Sequence, residues 1–379
     1  MKKIILITGA NGFIGKNLLN SLYLKKNIYN IITLKYNSSQ ATLIKKVTNA
    51  DFIIHLAGVN RPKMISQFKS GNYGFTKKIT DILIKYQKRT PVIYSSTMHI
   101  DTHVNNNNKL MNNYVKSKLS AESCLINYAK NNKSNLIIYR LPHVIGKWAK
   151  PNYNSVIATF CYNISRNKKI NISDPEKILK IIHIDQLINS IIKNIENNNA
   201  KTINYIKLRH INISVLNLSE KLIKINFSLN NFLNINLKKN IDKILYSTFI
   251  SYLPNNRYIK KLVSNTDSRG KFVECFKSET FGQISFLTSK PNVIRGNHFH
   301  NIKTEIFIVI SGVAEYKSSN PITHSLYKKI LKGDTPQLVR TIPGEIHTIK
   351  NIGKKELIVL VWANEIFDKH NPDTYYVND

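Results

Sequence analysis

Tyr114 and Lys118 stand four residues apart, so they share one face of a helix. A phenol with a pKa near ~10 gives up its proton reluctantly at neutral pH, and a neighbouring ammonium lowers that value by stabilising the phenolate. The pair suits a reductase, which must protonate the oxygen of the carbonyl it reduces. A hydroxyl should hold that oxygen from an upstream strand end. Ser95-Ser96-Thr97 ends such a strand, with Thr97 the first choice and Ser96 the second. A second constellation lies far downstream. His298 and His300 are two apart in a strand-like run, so both point the same way. Imidazoles there suit a base near neutrality or a metal ligand.

The elements that would position Tyr114 and Lys118 alternate between strand and helix. Residues 3–8, 30–35, 51–57, 91–96 and 135–140 read as buried strands, with helices over 12–24, 71–88 and 112–130. That order implies an α/β fold, a doubly wound parallel sheet of Rossmann type. Its first turn carries Gly9, Gly12 and Gly15 at dinucleotide-fingerprint spacing, with Asn11, Phe13 and Ile14 between them. Gly9 permits the tight turn, Gly12 lets backbone N–H groups approach a pyrophosphate, and Gly15 lets helix and strand pack closely. The helix N-terminus then faces the phosphates. No acid closes the second strand. Lys35 stands there instead and suits a 2′-phosphate, which favours NADPH over NADH.

Beyond residue 250 the texture changes. Short apolar runs at 282–287, 305–310, 338–342 and 356–362 are punctuated by Gly, Pro, Asn and Asp, as in an all-β barrel. A boundary within 245–262 gives two domains, 1–250 and 251–379. Two domains also fit the length of 379 residues. The net charge of +34 invites a nucleic-acid reading. The lysines, however, are spread along the chain among Asn and Ile, with no dense tract and no nucleic-acid module, so no nucleic-acid partner is expected. Cys124, Cys161 and Cys275 lack disulfide or ligand spacing. The opening apolar run is too short and too glycine-rich for a secretion signal, and no stretch is long enough to span a bilayer, so a cytoplasmic protein is expected. The Asn run at 105–108 reads as a solvated loop.

The glycine spacing, the strand-end hydroxyls and Tyr114-x-x-x-Lys118 together resemble the short-chain dehydrogenases. The resemblance implies that Tyr114 and Lys118 also meet the nicotinamide ribose. Asp51 to Gly58 resembles the strand and turn that flank the cofactor there, which implies contacts from Leu56, Ala57 and Gly58. Asn72 matches the structural Asn of that superfamily. Arg140 to Gly146 is similar to the strand and loop of the extended branch, whose members mostly act on nucleotide sugars, and His183-Ile184-Asp185 resembles a late segment of the same branch. The substrate candidates on this side are Asn60, Arg61, Arg140 and Asn152. Arg61 reads equally well as a solvated loop residue.

The downstream pattern, Gly296…His298-x-His300…Glu305…Gly312 and then Pro343-Gly344-x-x-His347, resembles the two cupin motifs. It implies a ligand set of His298, His300, Glu305 and His347 for Zn or another divalent transition metal. Asp267 to Glu274 and Val293 to Phe299 also resemble segments of cupin-fold dTDP-sugar epimerases, in which the histidine after Arg-Gly is a general base and no metal is needed. That likeness implies Arg269 and Arg295 at the substrate. His298 is thus either ligand or base.

The order of reductase, linker and cupin is similar to one family over nearly the whole chain: the bifunctional capsular-polysaccharide enzymes of the UDP-N-acetyl-L-fucosamine pathway. The closest likeness runs through Gly146 to Val156, Tyr246-Ser247-Thr248, Arg295 to His300 and Trp362 to Phe367. The resemblance implies that the cupin inverts carbon 3 of a UDP-4-keto-6-deoxy-HexNAc. The reductase then reduces carbon 4 with NADPH, giving UDP-2-acetamido-2,6-dideoxy-L-talose. It also implies a homodimer. Two rivals remain: a single-activity UDP-sugar enzyme with a structural cupin, and a non-catalytic basic protein that binds polyanions.

Overall fold

The computed structural model describes residues 2–102, 109–197 and 202–377; the Asn run at 105–108 lies outside them. The chain separates into two compact units, Met1–Ile223 with Asn240–Pro254, and Lys224–Lys239 with Asn255–Asp379. A single boundary near residue 250 therefore does not describe the division. The stretch Lys224–Lys239 joins the second unit for a visible reason. Lys277 N donates to Phe232 O at 3.0 Å, and Asn234 N donates to Lys277 O at 2.7 Å.

In the first unit, β1 (Lys3–Thr8), β2 (Tyr29–Leu34), β3 (Phe52–His55), β4 (Val92–Thr97) and β5 (Leu136–Leu141) form the main sheet. Three strands make a smaller sheet, β6 (His143–Ile145), β7 (Ile178–His183) and, after β8 (Ile203–Ile206), β9 (Ile211–Ser214). The main sheet runs β2-β1-β3-β4-β5-β8 with every neighbouring pair parallel. Successive connections change direction between β1 and β3, so the turn after β1 opens at a topological switch point, where such sheets bind ligands.

Burial explains the strand order. Ile5 and Ile7 pack with Leu18 and Leu22 of α1 (Phe13–Tyr23), while Leu6 packs on the other face with Val47 of α2 (Gln40–Thr48). Alternation with period two sends successive side chains to opposite faces, and helices cover both. The helix expected over 71–88 is built in three pieces: α3 (Ser66–Phe68), a π-helical turn Lys69–Gly74, and α4 (Phe75–Lys85). The wide turn fits the crowding there, because a Cβ on Gly71 would lie 2.4 Å from Val59 Cγ2. Further along come α5 (His99–Thr102), α6 (Lys109–Asn131), α7 (Val156–Ile164), α8 (Ile184–Glu196), α9 (Val215–Asn230) and α10 (Asn240–Ile250).

The second unit is antiparallel. One sheet holds β10 (Ser264–Asp267), β11 (Gly270–Ser278), β12 (Gly282–Ser289), β14 (Glu305–Ser311), β17 (Leu338–Arg340) and β19 (Leu357–Ala363). The other holds β13 (Ile294–Phe299), β15 (Val313–Ser319), β16 (Leu326–Lys332), β18 (Ile346–Asn351) and β20 (Tyr375–Tyr376). Leu287, Phe307, Val309 and Val359 of the first sheet share one core with Ala314, Tyr316 and Ile349 of the second. This is the architecture that the short, evenly punctuated runs imply.

Candidate active site and metal centre

The glycine turn is shaped by close approach. Gly9 sits at φ +69°, and a Cβ there would lie 2.6 Å from Ala57 N. A Cβ on Gly15 would fall 2.3 Å from Gly9 O. Gly12 N donates to Gly9 O at 3.0 Å, and Gly12 opens α1 with no side-chain cap and no acid in the first turn. Its N-terminal N–H groups are left for an anion. Asn11 is exposed, while Phe13 and Ile14 pack partly into the core. Leu34 pairs with Thr8, so the exposed Lys35 follows directly beside the turn.

A buried histidine braces this turn from behind. Thr8 Oγ1 accepts from Ala57 N at 3.1 Å and lies 2.7 Å from His55 Nδ1. His55 Nε2 is 2.9 Å from Thr76 Oγ1, whose own proton goes to Asn72 O at 2.6 Å. Thr76 must therefore accept from His55 Nε2–H, which leaves Nδ1 to accept from the Thr8 hydroxyl. Burial, with the Lys118 charge adding to it, pushes the imidazole down to about 3, so His55 is neutral in this network. Nothing in the sequence singled it out, because a histidine inside an apolar strand reads as core.

Tyr114 on α6 lies near Thr97 at the end of β4, close enough for the Thr97 hydroxyl to oppose the rise in its pKa. Ser96 Oγ is buried without a hydrogen bond, so of the two hydroxyls Thr97 is the one that acts on Tyr114. Lys118 is almost fully buried, with Nζ donating to Ser95 O at 2.8 Å and standing 4.8 Å above the Tyr94 ring. A Cβ on Gly58 would lie 3.2 Å from that Nζ and 3.1 Å from Asn72 Oδ1, so the ammonium faces the turn after β3. Asn72 ties the pieces together: its amide donates to Ser117 Oγ at 2.9 Å and accepts from Val59 N at 2.7 Å.

One electrostatic expectation is corrected. Burial raises Tyr114 to about 12, and the opposing effect comes from Thr97 rather than Lys118. The same burial lowers Lys118 to about 8, against the pull of Glu122. Arg140 has acidic partners of its own. Its guanidinium grips Glu122 at 2.6 and 3.2 Å and also binds Asp101, so it anchors β5 to α6 and α5. Asn60 and Arg61 are exposed on the loop after β3. Asn152 is exposed at φ +52°, in a loop steadied by Tyr252 OH, which donates to Ala149 O at 2.7 Å. Leu56 and Ala57 are half-buried beside Gly9.

In the second unit, His298 and His300 of β13 and its edge, Glu305 of β14 and His347 of β18 converge. One ligand atom from each lies within 4.8 Å of all the others. His300 Nδ1 is 2.6 Å from Asp373 O, an acceptor, so Nδ1 carries the proton and Nε2 is left with a lone pair. That Nε2 is buried, makes no hydrogen bond and lies 3.4 Å from Glu305 Oε2; His347 Nε2 stands at the same distance from the same oxygen. Nitrogen lone pairs facing a carboxylate need a positive charge between them. Burial opposes ionisation of Glu305, and the Lys303 ammonium 3.8 Å from Oε1 favours it. His298 Nδ1 is likewise buried without a partner. Three orphaned imidazole nitrogens and an ionised carboxylate fit a divalent transition metal.

Arg295 and Arg269 converge on Asp267, Arg269 at 2.7 Å and Arg295 at 3.6 Å. Arg295 NH2 also donates to Thr288 O at 3.0 Å, while its buried Nε has no partner.

Comparison with known proteins decides the family. Residues 5–213 match the NAD dependent epimerase/dehydratase family and residues 265–375 match the polysaccharide biosynthesis C-terminal domain. This chain belongs to the NAD dependent epimerase/dehydratase family. Within it, the chain is 35% identical over 371 residues to the UDP-2-acetamido-2,6-beta-L-arabino-hexul-4-ose reductase of Pseudomonas aeruginosa, covering 98% of this chain and 97% of that one. The capsular polysaccharide assembling protein CapF of Staphylococcus aureus superposes with a TM-score of 0.87 at 34% identity, covering 99% of this chain and all 100% of that one. The spore coat polysaccharide biosynthesis protein SpsL of Bacillus subtilis is 25% identical over 128 residues, 30% of this chain and 83% of that one. A UDP-glucose 4-epimerase from Thermotoga maritima shares the fold over 66% of this chain and 98% of its own, with a TM-score of 0.54 at 17% identity. The chain is thus an epimerase/dehydratase-family enzyme of nucleotide-sugar chemistry, joined to a barrel of the polysaccharide biosynthesis type. Among the described residues, no helix is long and apolar enough to cross a membrane.

Proposed function

We propose that this protein is a bifunctional nucleotide-sugar enzyme acting on a UDP-4-keto-6-deoxy-HexNAc in capsule or O-antigen synthesis. The barrel epimerises carbon 3, and the reductase unit reduces the carbon 4 ketone to give UDP-2-acetamido-2,6-dideoxy-L-talose. The observation that carries the reductase half is the Lys118 ammonium, buried and held on Ser95 O, one helical turn from Tyr114 and beside the strand that Thr97 ends. The name of the Pseudomonas aeruginosa relative, UDP-2-acetamido-2,6-beta-L-arabino-hexul-4-ose reductase, supports the substrate.

The residues divide the work in a definite way. The reduced nicotinamide, when bound, supplies the hydride to carbon 4. Tyr114, protonated at neutral pH, transfers its hydroxyl proton to the oxygen of that carbon, so ketone, hydride and proton together make the alcohol. Thr97 holds the Tyr114 hydroxyl in line. Lys118, its ammonium fixed on Ser95 O, would hold the nicotinamide ribose. Gly12 and the open N-terminus of α1 receive the pyrophosphate. Lys35, exposed just after the strand partner of Thr8, would supply a cation for a 2′-phosphate, which supports NADPH over NADH. Asn60, Arg61 and Asn152 are exposed around this unit and supply cations and amides for the UDP group.

His298, His300, Glu305 and His347 would hold a divalent metal in the barrel. A metal there would supply positive charge to polarise a ketone, or rigidity for the barrel. With His298 Nδ1 among the orphaned atoms, the cluster favours His298 as ligand over His298 as free base. Arg295 and Arg269 stand ready for the sugar nucleotide. The chain acts as a cytoplasmic homodimer.

The test is direct. Purified enzyme with the UDP-4-keto sugar should oxidise NADPH in preference to NADH, and Tyr114→Phe should abolish turnover while still binding NADPH. Equal use of both cofactors would contradict the role of Lys35. Unchanged turnover in Tyr114→Phe would contradict the proton-transfer assignment.

A further inference from the structure

The last described segment of the chain crosses the rim of the histidine cluster. β20 pairs antiparallel with β13, His298 opposite Tyr376 and Phe299 opposite Tyr375. Asn297 and Val377 close the ladder with two hydrogen bonds, 3.0 Å from Val377 N to Asn297 O and 2.8 Å from Asn297 Nδ2 to Val377 O. Just before it, Asp373 adopts φ +41°, a left-handed conformation that Asp tolerates better than most residues.

Asp373 has a reason to be there. Its carboxylate accepts three backbone N–H bonds from the turn between His300 and Glu305: Asn301 at 3.0 Å, Ile302 at 2.8 Å and Lys303 at 2.7 Å. Its own carbonyl accepts from His300 Nδ1 at 2.6 Å. The next residue, Thr374, places Oγ1 3.2 Å from Lys303 Nζ and 3.4 Å from His300 Nδ1. Lys303 in turn lies 3.8 Å from Glu305 Oε1, so Oε2 is the oxygen left facing the imidazoles. The Tyr376 ring meets His298 edge to face, with centroids 5.4 Å apart.

We propose that the segment Asp373–Val377 is a positioning strap for the metal centre, with Asp373 as its main fastening. The strap fixes which nitrogen of His300 keeps a lone pair, which oxygen of Glu305 is presented, and how the His298 ring stands. Three of the four candidate ligands are thereby held from a segment more than seventy positions downstream of His300. Removing a partner that orients a ligating histidine typically costs about ten- to a hundredfold in metal affinity. This inference rests on the metal reading given above.

The probe is Co²⁺, titrated into metal-stripped full-length protein and followed by its visible absorption, with a chromophoric chelator in competition. The wild type should bind one Co²⁺ per chain at this site. Asp373→Ala should bind roughly ten- to a hundredfold more weakly, with an altered spectrum. Asp373→Asn, which keeps an oxygen for the Ile302 and Lys303 N–H groups, should fall between. Circular dichroism and the melting of the stripped proteins report whether each variant is folded. Wild-type affinity and spectrum in folded Asp373→Ala would overturn the strap while leaving the metal reading intact. If Asp373→Ala does not fold, Asp373→Asn decides by the same criterion. A wild type that binds no Co²⁺ would overturn both, and would place the failure in the metal reading.

Discussion

Lys118 donates to the main-chain carbonyl of Ser95 at 2.8 Å, two residues before the Thr97 hydroxyl. The ammonium is buried, and burial lowers it to about 8 from an ordinary 10.5. Between those values the unfolded chain binds the proton and the folded chain releases it, so this group makes folding less favourable below pH ~8 and the penalty fades as pH rises towards ~10.5. Lys118→Met should therefore stabilise the ligand-free first unit at neutral pH. The shift alone is worth roughly 3 kcal/mol, and losing the bond to Ser95 leaves a net gain of about 1–2 kcal/mol. Thermal unfolding checks it: a melting temperature a few degrees higher at pH 7, with the difference shrinking above pH 8. The same variant should lose reductase activity. A lower melting temperature at pH 7 would contradict the account.

The pH profile of reduction should follow. Tyr114 stays protonated well past neutrality, being pushed up to about 12, so the alkaline limb of kcat/KM belongs to Lys118, near 8. Thr97→Val should lower kcat/KM with little change in NADPH affinity, and Tyr114→Phe should lower kcat by roughly a hundred- to ten-thousandfold. A limb that stays near 8 in Lys118→Met would assign it to another group.

His55 makes the opposite kind of prediction. Its folded value of about 3 lies below the ordinary 6.5, so the unfolded chain takes up the proton first as the solution is acidified. The stability it contributes is complete above pH ~6.5 and falls by about 1.4 kcal/mol per pH unit down towards ~3. His55→Gln should flatten that slope in urea unfolding and weaken NADPH binding, because Thr8 and Ala57 lose their brace. An unchanged acid slope would show that His55 is accessible to protons in the folded state.

Cofactor choice tests Lys35. Lys35→Glu removes a charge-assisted contact to a 2′-phosphate, worth about 1.5–3 kcal/mol, so NADPH should bind roughly ten- to a hundredfold more weakly. NADH should be nearly unaffected. Equal loss for both cofactors would move Lys35 away from the ribose.

Much of this was legible in the sequence because the residues that do the work obey short-range rules. Gly9 and Gly15 are where they are because any Cβ would strike Ala57 or Gly9, and that demand leaves a spacing in the chain. The alternation Ile5-Leu6-Ile7 is a buried strand read directly. The barrel was harder. β16, Leu326–Lys332, is mostly exposed and lysine-bearing, and β20 has only two residues, so neither announces itself by hydrophobic pattern. The partners of Arg140 were invisible because Glu122 and Asp101 reach it only through the pairing of β5 with its neighbours. His55 and Asp373 were missed for a related reason: their roles lie in contacts 21 and 73 positions away along the chain. Helical spacing alone points to a pull of Lys118 on Tyr114, but burial raises Tyr114 and what opposes it comes from Thr97.

The central claim is that one chain performs two steps on one sugar. The most direct measurement incubates the full-length protein with UDP-4-keto-6-deoxy-HexNAc in buffered D2O, following NADPH absorbance and the proton NMR of the sugar together. The account predicts deuterium at carbon 3 without any cofactor, then NADPH consumption and a single 6-deoxy product. NADPH consumption with no deuterium at carbon 3 would contradict it, leaving a reductase whose barrel does no chemistry on this sugar.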